Sequence, residues 1–164
     1  WIGKIVTERP GLRFVFGYEQ ALGYLVAQRP LDKDGISAAV MMAEIAGLAL
    51  ADGVTVQDRL DAIAARFGRY VTADLSVRLD PALGVAWVRS IEESPPTAVG
   101  RREVTSVTTY PEAGLVRLVV YGGMRLQIRP SGTEPKVKLY GEAVDVDHDV
   151  LAALLADLAA TAPT

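Results

Sequence analysis

The chain has 164 residues, of which 50% are hydrophobic and 23% are charged, a composition typical of one folded domain or two small ones. Its formal net charge of -3 gives no general attraction for nucleic acid or anionic membranes, so an anion site would need a local concentration of positive charge. The absence of cysteine excludes disulfides and thiolate chemistry, and no apolar run reaches the ~20 residues that span a bilayer. We therefore expect a soluble, cytoplasmic protein.

The first residues predict extended structure. The chain opens on the strand-like stretch "WIGKIV" without an initiator methionine, so we expect it to be part of a longer polypeptide. After the turn at Pro10 and Gly11, the residues "LRFVF" at 12–16 predict a short buried strand. This strand would run into a glycine-bounded loop from Gly17 to Tyr24.

Two helices are predicted next. Asp34 has the side chain of a helix N-cap, and apolar residues then recur at steps of three and four up to Leu50, which indicates one apolar face. A similar pattern predicts a second helix over residues 56–67, with Gly68 as its C-terminal stop. The domain boundary is expected near Phe67 to Val71, where the sequence pattern changes.

The second half of the chain alternates between strand and helix signals. In chain order, the predicted elements are a strand at 71–80, a helix at 81–93, a loop at 94–100, strands at 104–109, 115–121 and 124–129, a strand at 136–142 and a helix at 151–158. Gly122 and Gly123 predict a tight hairpin between two of these strands. The pattern favours a small α+β domain, an antiparallel sheet covered by two helices.

The stretch "IRPSGTEPKVKLYGEA", residues 128–143, has the composition of an anion-binding loop. Arg129 offers a planar fork of donors that fits phosphate oxygens, and Ser131 and Thr133 offer hydroxyl groups. Gly132 allows a ligand to approach the backbone closely. Composition alone leaves open a solvated hairpin whose hydroxyls only satisfy their own backbone.

Two segments carry a resemblance to a known family. "RPSGTEPKVKLYGEA" resembles the phosphate-binding loop in the C-terminal domain of the α-D-phosphohexomutases, the phosphoglucomutase and phosphomannomutase family. "FGYEQALGY" followed by "DKDGISAAVMMAEIA" is similar to the sugar-recognition loop and following helix of that family's third domain. The resemblance implies an α/β fragment at residues 1–68, the C-terminal part of domain 3, followed at 69–164 by domain 4, an α+β fold similar to the TATA-box-binding protein.

The resemblance also implies roles for single residues. Those implied to bind the phosphate that is not transferred are Arg129, Ser131, Gly132 and Thr133. Glu19 would accept hydrogen bonds from two sugar hydroxyls, since a carboxylate positions vicinal hydroxyls without reacting. Lys33, in "DKDG", matches a lysine that faces the active-site cleft in some relatives, and its alternative is a solvated side chain at a helix start.

By this resemblance we expect a hexose-phosphate mutase that interconverts the 1-phosphate and 6-phosphate of glucose or mannose. The family's Ser-His-Asn-Pro type phosphoserine loop and its Asp-Gly-Asp-x-Asp magnesium loop do not occur in the chain. We therefore expect no catalytic residue and no metal ligand here, an inactive chain when isolated, and Mg²⁺ bound by other domains of the full-length enzyme. The expected partners are a hexose phosphate and those N-terminal domains, with no nucleic acid and no membrane. The alternative is a non-catalytic phospholigand-binding or interaction module.

Other conspicuous residues have simpler interpretations. "DVDHDV" at 145–150 places three aspartates beside the only histidine, His148, but it lacks the glycines of a compact metal loop. Because it precedes the last helix, we expect its carboxylates to cap that helix. Trp1 and Trp87 are expected in the core.

Overall fold

The computed structural model describes residues 2–19, 22–28 and 30–163, which form two compact units. The first unit extends to Ile63 and the second begins at Ala64, so the division falls within a helix. The predicted boundary near Phe67 lies a few residues later. The domain bounds of 1–68 and 69–164 remain a prediction.

The first unit contains helices and one short hairpin. Its elements are α1 (Ile2–Glu8), β1 (Gly17–Glu19), β2 (Gly23–Leu25) and α2 (Gly35–Ala51), and α3 (Val56–Phe67) runs from it into the second unit. Strands β1 and β2 pair antiparallel. No single helix in the described ranges is long and apolar enough to cross a membrane; α2 and α3 meet that test of length and composition only as a pair bent by 89°.

Three predictions for this unit were wrong. Residues 2–8 form helix α1 rather than a strand, and residues 12–16 form neither strand nor core, since Leu12, Val15 and Phe16 are all exposed. The apolar residues at 12–16 do not distinguish a buried strand from an exposed connection, because a run of five residues carries too little periodicity. The predicted loop from Gly17 instead contains the strands β1 and β2. The prediction for Trp1 concerns a residue outside the described ranges.

The starts of α2 and α3 follow from local hydrogen bonds. The Asp34 carboxylate accepts from the backbone N–H groups of Ile36 and Ser37 at 3.3 and 2.9 Å, which confirms the predicted N-cap. Hydrogen bonding from Ser37, first by its side chain and then by its backbone N–H, lowers the pKa of Asp34, and the Ile36 N–H adds to this effect. Before α3, Thr55 and Asp58 exchange hydrogen bonds in a reciprocal cap.

The second unit is built on a six-stranded antiparallel sheet in the order β3-β8-β7-β6-β5-β4. Its elements are β3 (Tyr70–Arg78), α4 (Pro81–Glu93), β4 (Ala98–Val99), β5 (Arg102–Tyr110), a 3-10 turn (Pro111–Ala113), β6 (Leu115–Val120), β7 (Met124–Pro130), β8 (Lys136–Val144) and α5 (His148–Ala159). The prediction of an antiparallel sheet with two helices is confirmed. Strand β4 lies where we expected only a loop.

The core lies between one face of this sheet and the helices α4 and α5. On the central strands, every second residue is a fully buried apolar one: Val116, Leu118, Val120, Met124, Leu126, Ile128, Val137 and Leu139. Trp87 of α4 joins them at 4% exposure, as predicted, and its indole N–H donates to the Thr161 hydroxyl at 3.1 Å. The other face of the sheet carries most of the polar side chains of its strands.

Candidate functional site

The predicted phosphate loop joins β7 to β8 at one end of the sheet. The Ser131 N–H donates to the Lys136 carbonyl at 2.9 Å and closes the loop just beyond the last paired residues, Pro130 and Val137. Ser131 is half-buried, whereas Gly132 and Thr133 are exposed. The sheet therefore holds both ends of the loop and leaves its tip open to solvent.

Arg129 lies near the end of β7, and its side chain is on the polar face of the sheet. Its neighbours Ile128 and Leu126 alternate into the core, which fixes the arginine on the opposite side. The guanidinium lies over the ring of Tyr140, 5.9 Å from the centroid, and donates to the Tyr140 hydroxyl at 3.4 Å. Across the part of the chain that the structure describes, Arg129 has no carboxylate partner, so its charge is not neutralised.

The loop backbone also offers donors. Gly132 makes no hydrogen bond to any other residue within 2–19, 22–28 and 30–163, and a side chain built at this position would meet nothing within 4 Å. The Thr133 N–H faces the Ser131 hydroxyl oxygen at 3.5 Å, the outer limit of a hydrogen bond. An anion at the tip could therefore accept from the Gly132 N–H, which has no acceptor among the described residues. It could also accept from the Thr133 N–H, whose bond to Ser131 is long.

Positive charge surrounds the loop. The Lys136 ammonium lies 2.6 Å from the Glu134 carboxylate, and this hydrogen bond is the main reason why the pKa of Glu134 is lowered. The charges of Lys138 and Arg78 lower it further. The carboxylate of Glu134 therefore lies among the cations Lys136, Lys138 and Arg78.

The second candidate group lies in the first unit, at the hairpin of β1 and β2. The Lys33 ammonium donates to the Glu19 carboxylate at 2.6 Å, and this bond raises the pKa of Lys33. Gly23 lies directly beneath the pair, and a Cβ there would collide with both side chains. The two residues are about two-fifths exposed, at 43% for Glu19 and 42% for Lys33, so a ligand can still reach them.

The acidic segment at 145–150 is not arranged as a metal loop. The Asp145 carboxylate accepts from the Arg69 N–H at 2.8 Å, and His148 lies beside Asp149 at 3.6 Å. In the ranges that the structure describes, no three acidic or histidine side chains converge, so these residues do not fit a magnesium site. The capping prediction was wrong in its contact: Asp147 occupies the N-cap position of α5, but its side chain makes no cap hydrogen bond.

Sequence reasoning assigned no functional role to three residues of the polar face: Arg78, Lys138 and Tyr140. The alternation along β8 places Lys138 and Tyr140 on the same face as Arg129, so the period-2 pattern gave part of this signal. Arg78 could not be found that way because β3 and β8 are separated by a helix and four strands in the sequence.

Two family models match the chain in consecutive order. Phosphoglucomutase/phosphomannomutase, alpha/beta/alpha domain III, matches residues 1–67, and Phosphoglucomutase/phosphomannomutase, C-terminal domain, matches residues 88–161. This chain belongs to the phosphoglucomutase/phosphomannomutase family. The second match contains the whole loop of Arg129 to Thr133, and the first contains Glu19 and Lys33.

Individual members of this family are similar along most of the chain. A probable phosphomannomutase of Haemophilus influenzae is 34% identical over 87% of the chain and 30% of its own length. A phosphoglucomutase of Staphylococcus epidermidis is 28% identical over 90% of the chain and 31% of its own length, and a human phosphopentomutase is 26% identical over 87% and 28%. The chain thus spans less than a third of the curated relatives it matches.

Proposed function

We propose that this chain provides the substrate grip of a hexose-phosphate mutase that interconverts the 1-phosphate and 6-phosphate of glucose or mannose. In this proposal the phosphate that is not transferred is bound by Arg129, Ser131, Gly132 and Thr133. The observation that carries it is the tip of the β7–β8 loop, where the Gly132 N–H lacks an acceptor and the Arg129 guanidinium lacks a carboxylate among the described residues. Amide and guanidinium donors are the groups that suit a phosphate dianion.

Glu19 is the proposed acceptor for two sugar hydroxyls. Its carboxylate has two oxygens, and the bond from Lys33 engages Oε1. A carboxylate can accept about four hydrogen bonds, so sugar hydroxyls can be bound while Lys33 remains in place. We propose that Lys33 holds Glu19 in position and faces the ligand as an additional cleft contact.

A separate phosphate grip also suits the proposed reaction. A mutase that works through a bisphosphorylated intermediate must present either end of the sugar to one phosphoryl-transfer group. The other phosphate then needs its own fixed site, which orients the ring and lowers the entropic cost of the transfer step. A rigid loop at the end of a sheet meets that need.

The chain alone is proposed to be inactive in phosphoryl transfer, because its sequence contains neither the phosphoserine loop nor the magnesium loop that the family resemblance leads us to expect. Mg²⁺ is expected in the full-length enzyme, held by residues outside this chain. The missing domains and a hexose phosphate are its proposed partners, and a cytoplasmic location remains a prediction.

A non-catalytic phospholigand-binding module is the second candidate. It is favoured by the same combination, a phosphate grip in a chain that lacks the transfer motifs. A coupled mutase assay of the parent protein, supplied with glucose and mannose phosphates and with a pentose phosphate, separates the two functions. Turnover supports the mutase and identifies the sugar, whereas binding without turnover of any substrate supports the module.

Arg129→Ala tests the phosphate grip directly. The substitution removes a charge-assisted contact worth about 1.5–3 kcal/mol, so the affinity for inorganic phosphate should fall by roughly 10- to 100-fold. Amide shifts of the isotope-labelled chain during a phosphate titration measure this affinity and show whether Gly132 and Thr133 respond.

Arg101→Ala is the matched control, because Arg101 is an exposed arginine between β4 and β5, outside the loop. It changes the net charge equally and should leave phosphate binding within about twofold. Equal losses in both variants, or unmoved amides at Gly132 and Thr133 in the native chain, would refute the grip.

A further inference from the structure

Tyr140 lies at the middle of β8, on the polar face of the sheet. In the β7–β8 ladder it is directly opposite Gln127, which precedes Arg129 by two residues. Tyr140 and Arg129 are therefore diagonal neighbours, a placement that puts Cβ atoms about 7 Å apart and within reach of an aromatic ring. Because Leu139 is fully buried in the core, the alternation of the strand keeps the tyrosine on the face that carries Arg129.

Two contacts join the Tyr140 side chain to the Arg129 guanidinium. The guanidinium carbon lies 5.9 Å from the centroid of the ring, and Nη2 donates to the hydroxyl oxygen at 3.4 Å. A cation at such a distance from an aromatic face is attracted by the negative charge density of the ring. The contact with the ring and the contact with its hydroxyl together restrict the orientation of the guanidinium more than either one alone.

This mode of support leaves the charge of Arg129 available. Among the residues that the structure describes, Arg129 has no ion pair, and its side chain has one hydrogen-bond partner, the Tyr140 hydroxyl. Arg125, on the same strand and the same face, is instead paired with the carboxylate of Glu142 on β8. A carboxylate competes with an incoming anion for a guanidinium, whereas a neutral ring carries no opposing charge. The same two strands thus neutralise one arginine and hold the other without neutralising it.

We propose that Tyr140 is a positioning residue, which orients the Arg129 guanidinium in advance for an anion bound at the β7–β8 loop. The inference rests on the proposed phosphate grip and adds to it a residue that acts through Arg129. A long side chain loses rotamer freedom when a ligand fixes it, and this loss weakens binding. A guanidinium that Tyr140 already holds loses less freedom, and most of its N–H donors remain for the ligand.

Two substitutions at Tyr140 test this role, with inorganic phosphate as the probe and amide-shift titration of the labelled chain as the measurement. Tyr140→Leu removes the ring and the hydroxyl, so the affinity should fall by about 3- to 10-fold. Tyr140→Phe retains the ring and removes only the hydrogen-bond acceptor, so the expected loss is about two- to threefold. A circular dichroism melt of each variant checks that the sheet is intact, and Tyr140→Phe carries the test if the leucine variant does not fold.

A double-mutant cycle distinguishes positioning from a general effect on the sheet. If Tyr140 acts through Arg129, then in the Arg129→Ala background both substitutions at Tyr140 should change the phosphate affinity by less than about 1.5-fold. A substitution that only loosened the loop would weaken binding by the same factor in both backgrounds.

The chain contains a matched control, a second arginine stacked on a tyrosine of the same face. The Arg117 guanidinium lies 5.5 Å from the centroid of the Tyr110 ring and donates to the Thr108 hydroxyl at 3.4 Å. Arg117 is directly opposite Gln127, which places this pair on the polar face. Strand β6 separates Tyr110 from β7, and the ring contacts Arg117 rather than Arg129. Tyr110→Leu and Tyr110→Phe remove the equivalent groups and should leave the phosphate affinity within about 1.5-fold.

The outcomes separate this inference from the proposed function. If Arg129→Ala weakens phosphate binding while both Tyr140 variants bind phosphate as tightly as the native chain, the positioning role is wrong and the grip stands. Equal losses from Tyr140→Leu in the two backgrounds, or an equal loss from Tyr110→Leu, would also overturn the positioning role. If Arg129→Ala has no effect on phosphate binding, the grip fails and the positioning role fails with it.

Discussion

Asp145 has an unusual backbone conformation for its residue type. Its φ is +54°, in the left-handed region that most side chains avoid. Two bonds to one residue hold it there: the Asp145 N–H donates to the Arg69 carbonyl at 2.9 Å, and its carboxylate accepts from the Arg69 N–H at 2.8 Å. The side chain thus compensates for the backbone conformation and fastens the segment after α3 to the end of β8.

Substitutions at Asp145 should separate these two effects. Asp145→Ala loses the carboxylate bond while keeping the strained φ, so we expect the free energy of unfolding to fall by about 1–2 kcal/mol. Asp145→Asn keeps an acceptor and tolerates the left-handed region, so it should stay within about 0.5 kcal/mol of the native chain. Urea unfolding measures both, and equal stability of the two variants would contradict the stabilising role of the Asp145 carboxylate.

At the scale of elements, the close packing of α5 on β8 depends on a missing side chain. Gly141 lies on the buried face of β8, where an added Cβ would be 2.9 Å from two carbons of Leu151. Leu151 is fully buried and belongs to the first turn of α5. The helix can therefore approach the strand closely only because residue 141 has no side chain.

Gly141→Ala should destabilise the second unit by about 1–3 kcal/mol, because the buried leucine has little room to move. Gly47→Ala is a useful contrast, since Gly47 lies inside α2 and a Cβ there would meet nothing within 4 Å. In that helix alanine should be neutral or stabilising by up to about 1 kcal/mol. Thermal or urea unfolding of both variants checks the opposite signs, and a Gly141→Ala variant as stable as the native chain would show that α5 can shift.

At the scale of the whole molecule, burial is distributed unevenly between the two units. In the described part of the first unit, the buried apolar residues are Leu25 and Ala49. Helix α2 leaves Ile36 and Leu50 each 79% exposed, although a helix with apolar residues on most of its surface is normally buried. The second unit has a continuous core that spans the sheet and both helices.

Hydrogen exchange should reflect this difference. We expect the amides of β7 and β8, which are paired on both sides, to exchange at the slowest rates in the chain. The amides of α2 should exchange faster, because little apolar burial opposes the opening of that helix. Hydrogen–deuterium exchange of the 164-residue chain, measured by mass spectrometry, tests this order of exchange rates. Comparable protection of α2 and β7 would contradict it.

Local signals in the sequence were sufficient for several elements. The cap at Asp34, the stop at Gly68 and the start of α4 at Pro81 depend on hydrogen bonds and backbone preferences within a few residues. The alternation of β7 and β8 placed Arg129 and Lys138 on a polar face before any pairing was known. These patterns are readable because each is set by neighbours along the chain.

Other features depended on which distant segments pair. The sequence by itself determined the capped helices, the alternating strands and the donor-rich composition of the loop at Ser131. Only the tertiary structure decided that β8 lies between β3 and β7, which places Lys138 opposite Arg129 and Arg78 opposite Lys136. It also decided that Lys33 pairs with Glu19. The physical reason is that sheet order and side-chain pairing depend on loop closure and shared burial over the whole unit, and short-range periodicity carries no information about either.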